Sequence, residues 1–208
     1  MSDGAGLGLD TAFAGFVTAT SPWEVAAVFL AVVYLVLAIR EHPGCWPAAI
    51  LSSLIYIALL GKQQLYMESA LQMFYVAMAI YGWWAWRPAA AGEGGALVVH
   101  TWPWRNHVIA LLLVAVLAAA SGRLLVLNTN AALPYLDSSI TWGSLLATWM
   151  VTRKVLENWL YWFVIDSLSL GAFLNRGLYL TAALFALYLV LIIIGYRAWR
   201  RSMHKNVP

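Results

Sequence analysis

Seven mostly apolar stretches of up to about 20 residues constrain this chain more than any other feature. At a helical rise of about 1.5 Å per residue, such a stretch is about long enough to cross a hydrocarbon core roughly 30 Å thick. They run approximately over residues 23–40, 45–61, 65–86, 107–125, 137–153, 157–174 and 178–198. With 63% hydrophobic and only 10% charged residues, the 208-residue chain has too little polar surface to cover a soluble globule. A membrane barrel needs strands of about ten residues that alternate apolar and polar, and these runs are apolar all round. The expected fold class is therefore an all-α integral membrane protein with seven transmembrane helices.

The chain also repeats itself. "LYMESALQMFYVAMAIYGWWAWR", from Leu65, returns as "LYLTAALFALYLVLIIIGYRAWRR", from Leu178, at an offset of 113 residues. The same offset pairs Glu24 with Asp137, Arg40 with Arg153, Trp46 with Trp159, Tyr75 with Tyr188, Gly82 with Gly195 and Ala85-Trp86-Arg87 with Ala198-Trp199-Arg200. Residues 23–86 and 137–199 thus read as two copies of one three-helix unit. A cytoplasmic loop (87–106), a linker helix (107–125) and an exterior loop (126–136) lie between them. An exterior lead-in (1–22) precedes the first copy, without the basic start and cleavage pattern of a secretory signal. A basic tail (200–208) follows the second.

Three spans leave the chain on the far side, and the fourth returns it, so both copies point the same way. This 3+1+3 arrangement is that of parallel-repeat transporters, whose substrate site lies between the halves near the midplane. Joining the loops alternately puts Lys62, Arg123 and Arg176 on one side. Arg40, Arg87, Arg105, Arg153, Lys154, Arg197, Arg200, Arg201 and Lys205 fall on the other. The positive-inside bias then places the N-terminus outside and the C-terminus in the cytoplasm. Topology alone accounts for the basic tail, so nucleic acid is not an expected partner.

An ionisable group within a span needs an aqueous path or a partner. Asp166 lies mid-helix in "NWLYWFVIDSLSLGAF", and Trp159, Trp162, Asp166 and Ser169 share one helical face by their spacing of three, four and three. Flat rings beside a carboxylate suit a planar cationic ligand, with structural pairing to a neighbouring helix as the alternative. The matching face of the first copy reads Trp46, Ala49, Ser53 and Tyr56. In the third helix Glu68, Gln72, Tyr75 and Ala79 align, with Thr181, Phe185 and Tyr188 as their counterparts. Glu68 stands close enough to a helix start to be either simply solvated or a ligand. Trp83, Trp84, Trp86, Trp102, Trp104 and Trp199 read as interfacial anchors. In the "TRKVLENW" junction, Arg153 or Lys154 is placed to pair with Glu157, as a hinge or a gate.

No chemistry of bond cleavage is visible. The chain lacks GxxxxGK[ST], HExxH and GxSxG, so ATP hydrolysis and common hydrolase mechanisms have no home. Its single cysteine, Cys45, and four unclustered histidines make no metal set. No cofactor and no enzyme activity are expected. A seven-helix receptor that binds ligand without flux is the rival class.

The blocks "LYMESALQMFYVAMAIYGWWAW", "TRKVLENWLYWFVIDSLSL" and "GLYLTAALFALYLVLIIIGYRAW" resemble the PnuC family of bacterial vitamin and nicotinamide riboside transporters. The resemblance covers most of the chain from the second helix onward, except the fourth helix and its loops. It implies a fold related to the sugar-transporting SWEET proteins, a homotrimer in the inner membrane, and facilitated diffusion with trapping of the vitamin by a cytoplasmic kinase. Cargoes in the family are nicotinamide riboside, thiamine or riboflavin. Nicotinamide riboside carriers are associated with asparagines where this chain has Ser52 and Asp166. Nicotinamide riboside and thiamine are both permanently cationic, so Asp166 accommodates either. Neutral, larger riboflavin fits less well. On this reading Trp159 and Trp162 stack the ring and Asp166 offsets its charge. Gln72, Tyr75, Tyr188 and Ser52 bind hydroxyls or amides, with Trp46, Ser53, Tyr56 and Glu68 as further candidates.

Overall fold

The apolar stretches fold as the spacing predicts. The computed structural model describes residues 21–62, 66–87, 97–129, 133–175 and 179–205. Within them lie seven helices: α1 (Pro22–Ile39), α2 (Cys45–Lys62), α3 (Tyr66–Ala85), α4 (Trp104–Asn128), α5 (Pro134–Thr152), α6 (Asn158–Asn175) and α7 (Tyr179–Lys205). Most of the lead-in, residues 88–96 of the cytoplasmic loop and Arg176 lie outside the described residues.

Two helices outrun their apolar windows. α4 begins at Trp104, immediately after Pro103, and α7 continues to Lys205, so the described part of the basic tail is helical. Proline is disfavoured inside a helix but suits the position just before or at its start. At the far end of α7, His204 and Lys205 lie where cations complement the helix dipole.

Four stretches are long and apolar enough to cross a membrane by composition alone: Pro22–Ile39, Cys45–Lys62, Trp104–Asn128 and Thr181–Lys205. The other three helices, α3, α5 and α6, carry the polar mid-helix residues Gln72, Ser144, Thr148, Asp166 and Ser169. Packing explains why they tolerate them. α3 lies against α5, and α5 against α6, so these polar faces have protein neighbours rather than lipid.

The packing order respects the repeat. α1 packs on α2 and α2 on α3; likewise α5 packs on α6 and α6 on α7, while α4 packs on α5. Between the two sets, α3 meets α5 and α1 meets α7. The third helix of each copy thus touches the first helix of the other, the pattern of two like-oriented units facing each other.

Local geometry repeats as well. α1 and α5 both end in a Schellman turn. Glu41 N–H donates to the Ala38 carbonyl and His42 N–H to Leu37, both at 3.0 Å. Lys154 N–H donates to Val151 and Val155 N–H to Met150, again at 3.0 Å. Glu41 (φ 54°) and Lys154 (φ 53°) hold the left-handed position of each turn, where glycine is the usual residue.

The core concentrates at the end of the bundle where α1, α3, α5 and α7 finish and α2 and α6 begin. This is the basic end. Four tryptophans form a chain there: Trp46 meets Trp86 edge-on at 5.1 Å, Trp86 lies 6.0 Å from Trp199, and Trp199 meets Trp159 edge-on at 5.4 Å. Small residues make room, because a Cβ on Gly82 would overlap the Trp46 ring and one on Gly195 the Trp159 ring. Close approach at small residues is how helices associate in lipid, where no hydrophobic drive separates them from solvent.

Trp86 and Trp199 correct the expectation that they anchor the interface. They are 7% and 0% exposed, and each indole N–H donates across to the other copy: Trp86 to the Thr152 carbonyl (3.1 Å) and Trp199 to the Ala38 carbonyl (2.9 Å). Trp84 and Trp104 do have the exposure an anchor needs.

The "TRKVLENW" junction also departs from expectation. Neither Arg153 nor Lys154 pairs with Glu157. The left-handed turn directs Lys154 to Glu41, Nζ to Oε2 at 2.9 Å, while Arg153 donates to the Tyr81 hydroxyl at 2.9 Å. Glu157 instead accepts from the Trp102 N–H at 3.3 Å and lies 4.0 Å from His107. The loop before α4 is pinned to the junction by His100 N–H to the Lys154 carbonyl and Leu156 N–H to the His100 carbonyl.

Candidate substrate-binding site

A cavity of about 190 Å³ opens above the tryptophan chain. Its wall is formed by Ala31 and Tyr34 of α1, Trp46, Ala49, Ser52, Ser53 and Tyr56 of α2, and Gln72, Tyr75 and Ala79 of α3, completed from the second copy by Thr148 and Trp162. Seven residues singled out from sequence spacing meet here: Trp46, Ser52, Ser53, Tyr56, Gln72, Tyr75 and Trp162. Helical periodicity explains the convergence. Trp46, Ala49, Ser53 and Tyr56 lie on one face of α2, and Gln72, Tyr75 and Ala79 on one face of α3.

The polar groups are few and differently engaged. Ser52 donates its hydroxyl to the Ala27 carbonyl at 2.8 Å, tying α2 to α1. The Tyr75 hydroxyl lies close to Ser144 of α5, across the interface between the copies. Thr148 returns its hydroxyl to the Ser144 carbonyl at 2.7 Å. The Trp46 indole N–H is buried and finds no partner among the described residues, leaving a donor in the cavity wall's own ring.

Asp166 stands behind this wall rather than in it. It occupies in α6 the position that Ser53 holds in α2, about 12 Å along the helix from Asn158 at 1.5 Å per residue. It is 6% exposed, and its carboxylate acts electrostatically on the hydroxyls of both Tyr75 and Tyr188. Tyr188 in turn lies within electrostatic reach of Tyr56. The two ion pairs among the described residues involve Glu41 and Glu157, so Asp166 is not clamped to a basic side chain there.

The structure separates the remaining candidates. Trp159 is 2% exposed, locked against Gly195 and Trp199 below the cavity, and takes no part in its lining. Glu68 lies in the first turn of α3, and its side chain is outside the described residues. Sequence spacing missed Tyr34 and Thr148. Tyr34 sits 6.0 Å from Trp46, and a tyrosine in the apolar middle of the first helix was the available signal. A larger groove of about 500 Å³ lies between α4, α5 and α6, but its wall is mostly Leu, Ile and Val. Its polar residues His107, Glu157 and Tyr161 engage one another, His107 Nδ1 lying 3.0 Å from the Tyr161 hydroxyl and Nε2 4.0 Å from Glu157, and the groove does not lie between the copies.

The paired copies and the cavity between them have the arrangement of a parallel-repeat carrier. Residues 21–201 match the nicotinamide mononucleotide transporter family. The chain belongs to that family. Its members and structural neighbour are transporters, not enzymes, and the chain is a multi-pass membrane protein. It is 29% identical to the nicotinamide riboside transporter PnuC of Escherichia coli (strain K12) over 181 residues, covering 74% of this chain and 76% of that protein. It is 27% identical over 193 residues to the riboflavin/roseoflavin transporter RibM of Streptomyces davaonensis, covering 89% and 88%. In three dimensions it resembles the crystal structure of the vitamin B3 transporter PnuC, with a TM-score of 0.72 at 19% identity over 96% of this chain and 89% of that one. The all-helical fold is therefore shared with that structure at low sequence identity.

Proposed function

We propose that this transporter carries a cationic, ring-bearing vitamin of the nicotinamide riboside type, by facilitated diffusion through the cavity between its two repeats. The observation that supports it most is the pairing of an aromatic, hydroxyl-bearing cavity with a buried carboxylate that no basic side chain among the described residues neutralises. Trp162, Tyr34 and Trp46 offer flat surface to the ring. Gln72, Ser53, Tyr56 and Tyr75 offer donors and acceptors to a ribose or carboxamide, and Asp166, assisted by Tyr188, balances the positive charge. Ser52 shapes the wall but has already committed its proton. Trp159 supports the floor.

The size of the cavity bears on cargo. About 190 Å³ is smaller than the roughly 300–1,000 Å³ of most ligand pockets, which favours a single ring over a three-ring system. Thiamine, cationic and aromatic, is the second reading, and Asp166 is the residue that supports it. The likeness to RibM supports riboflavin, against the charge and size of the site. Import into a bacterial cytoplasm, an external N-terminus, a homotrimer and kinase trapping belong to the same reading and rest on charge placement and family resemblance.

A ligand that binds only the folded protein raises its melting temperature, by about 2.7 kcal/mol of added stability at 100 times Kd. The purified protein is expected to show such a shift with nicotinamide riboside, and the assignment fails if none of the three vitamins moves the transition. A receptor would show the shift but no flux into proteoliposomes.

A further inference from the structure

Glu41 and Lys154 are 113 residues apart, so each occupies in its own repeat the place the other holds in the second. Both sit at the left-handed position of a Schellman turn, a conformation costing a non-glycine residue about 1–2 kcal/mol. The same two residues form an ion pair across the repeat interface at 2.9 Å, with the side chains 19% and 11% exposed. Lys154 Nζ also stands 4.9 Å over the Trp86 ring, one link of the buried tryptophan chain. Two further bonds join the copies at this level, Trp86 to Thr152 and Trp199 to Ala38. Trp46 belongs both to that chain and to the cavity wall, so the assembly lies directly beneath the candidate site.

We propose that the Glu41–Lys154 pair, seated on the tryptophan chain, is the latch that keeps the transport path closed at the basic end. Opening on that side means breaking the inter-repeat bonds while each Schellman turn stays intact within its own repeat. This explains why a carboxylate and an ammonium stand where glycine suits the backbone better: the turns aim both side chains at the interface between the copies. The pair is not a site for cargo. It lies on the far side of the tryptophans from the cavity. The proposal rests on the carrier reading, in which the repeats part alternately at either end.

The test uses the full chain with Cys45→Ala and a reporter, Ser53→Cys, in membrane vesicles without cargo, labelled by a membrane-impermeant thiol reagent from either face. Removing one partner of a largely buried ion pair leaves the other uncompensated, so Glu41→Gln and Lys154→Gln should each raise labelling from the basic end about tenfold. Labelling from the opposite end should not rise. The exchange Glu41→Lys with Lys154→Glu should return the rate to within about twofold of the parent. Glu41→Gly guards against misfolding: it removes the carboxylate as Glu41→Gln does but relieves the positive-φ strain, so it should open the path equally while melting higher than Glu41→Gln. Unchanged labelling in the single variants, equal gains from both faces, or an exchange variant as open as the singles would overturn the latch. Because no cargo is present, failure of the vitamin assignment leaves this result readable, and failure of the latch leaves that assignment standing.

Discussion

Gly195→Ala is expected to lower the melting temperature of the purified protein by roughly 2–12 °C, from an overpacking cost of about 1–3 kcal/mol. A Cβ at this position lands on the Trp159 ring. That ring has nowhere to go: it is 2% exposed and meets Trp199 edge-on at 88°. Gly82→Ala repeats the experiment in the first copy, against Trp46. Gly61 and Gly171 provide the contrast, because a Cβ there meets nothing within 4 Å. Alanine at either should be neutral or stabilising by up to about 1 kcal/mol, the usual gain of replacing helical glycine. If Gly195→Ala and Gly171→Ala melt alike, the tryptophan chain is not the packed floor described above.

Asp166→Asn should weaken binding of a cationic vitamin roughly tenfold, about 1.4 kcal/mol, by removing a negative charge that stands behind the cavity wall rather than by breaking a direct contact. The substitution keeps the shape, removes the charge and exchanges one acceptor oxygen for an amide donor, so a neutral ligand that makes no bond to this group should lose little. The paired reading separates electrostatics from folding. Equal weakening of cationic and neutral ligands would assign Asp166 to packing among Tyr75, Tyr188 and Tyr56 instead. Isothermal titration with nicotinamide riboside and a neutral ring analogue measures both.

Much of this site was legible in the chain because helices present residues three and four apart on one face. Trp46, Ser53 and Tyr56 on α2 and Gln72 and Tyr75 on α3 therefore converge wherever those faces meet. The 113-residue offset foretold more than the fold: it carries over to the two Schellman turns, the Gly–Trp contacts and the indole bonds between the copies. What periodicity does not reveal is which way a side chain at a helix end turns. Trp86 and Trp199 lie where anchors lie, and burial followed only from the neighbouring copy. Lys154 sits three residues before Glu157, yet a positive φ sends it to Glu41, a partner that no local spacing points to. Trp159 shares a helical face with Trp162 and Asp166, but Gly195 draws it into the floor.

Uptake of labelled nicotinamide riboside into liposomes containing only this chain, with unlabelled thiamine or riboflavin as competitor, tests the charge-and-ring site most directly. Saturable uptake without ATP or an ion gradient is expected, inhibited by thiamine and little affected by riboflavin. No uptake, or riboflavin as the strongest competitor, would contradict a cavity built for a cation.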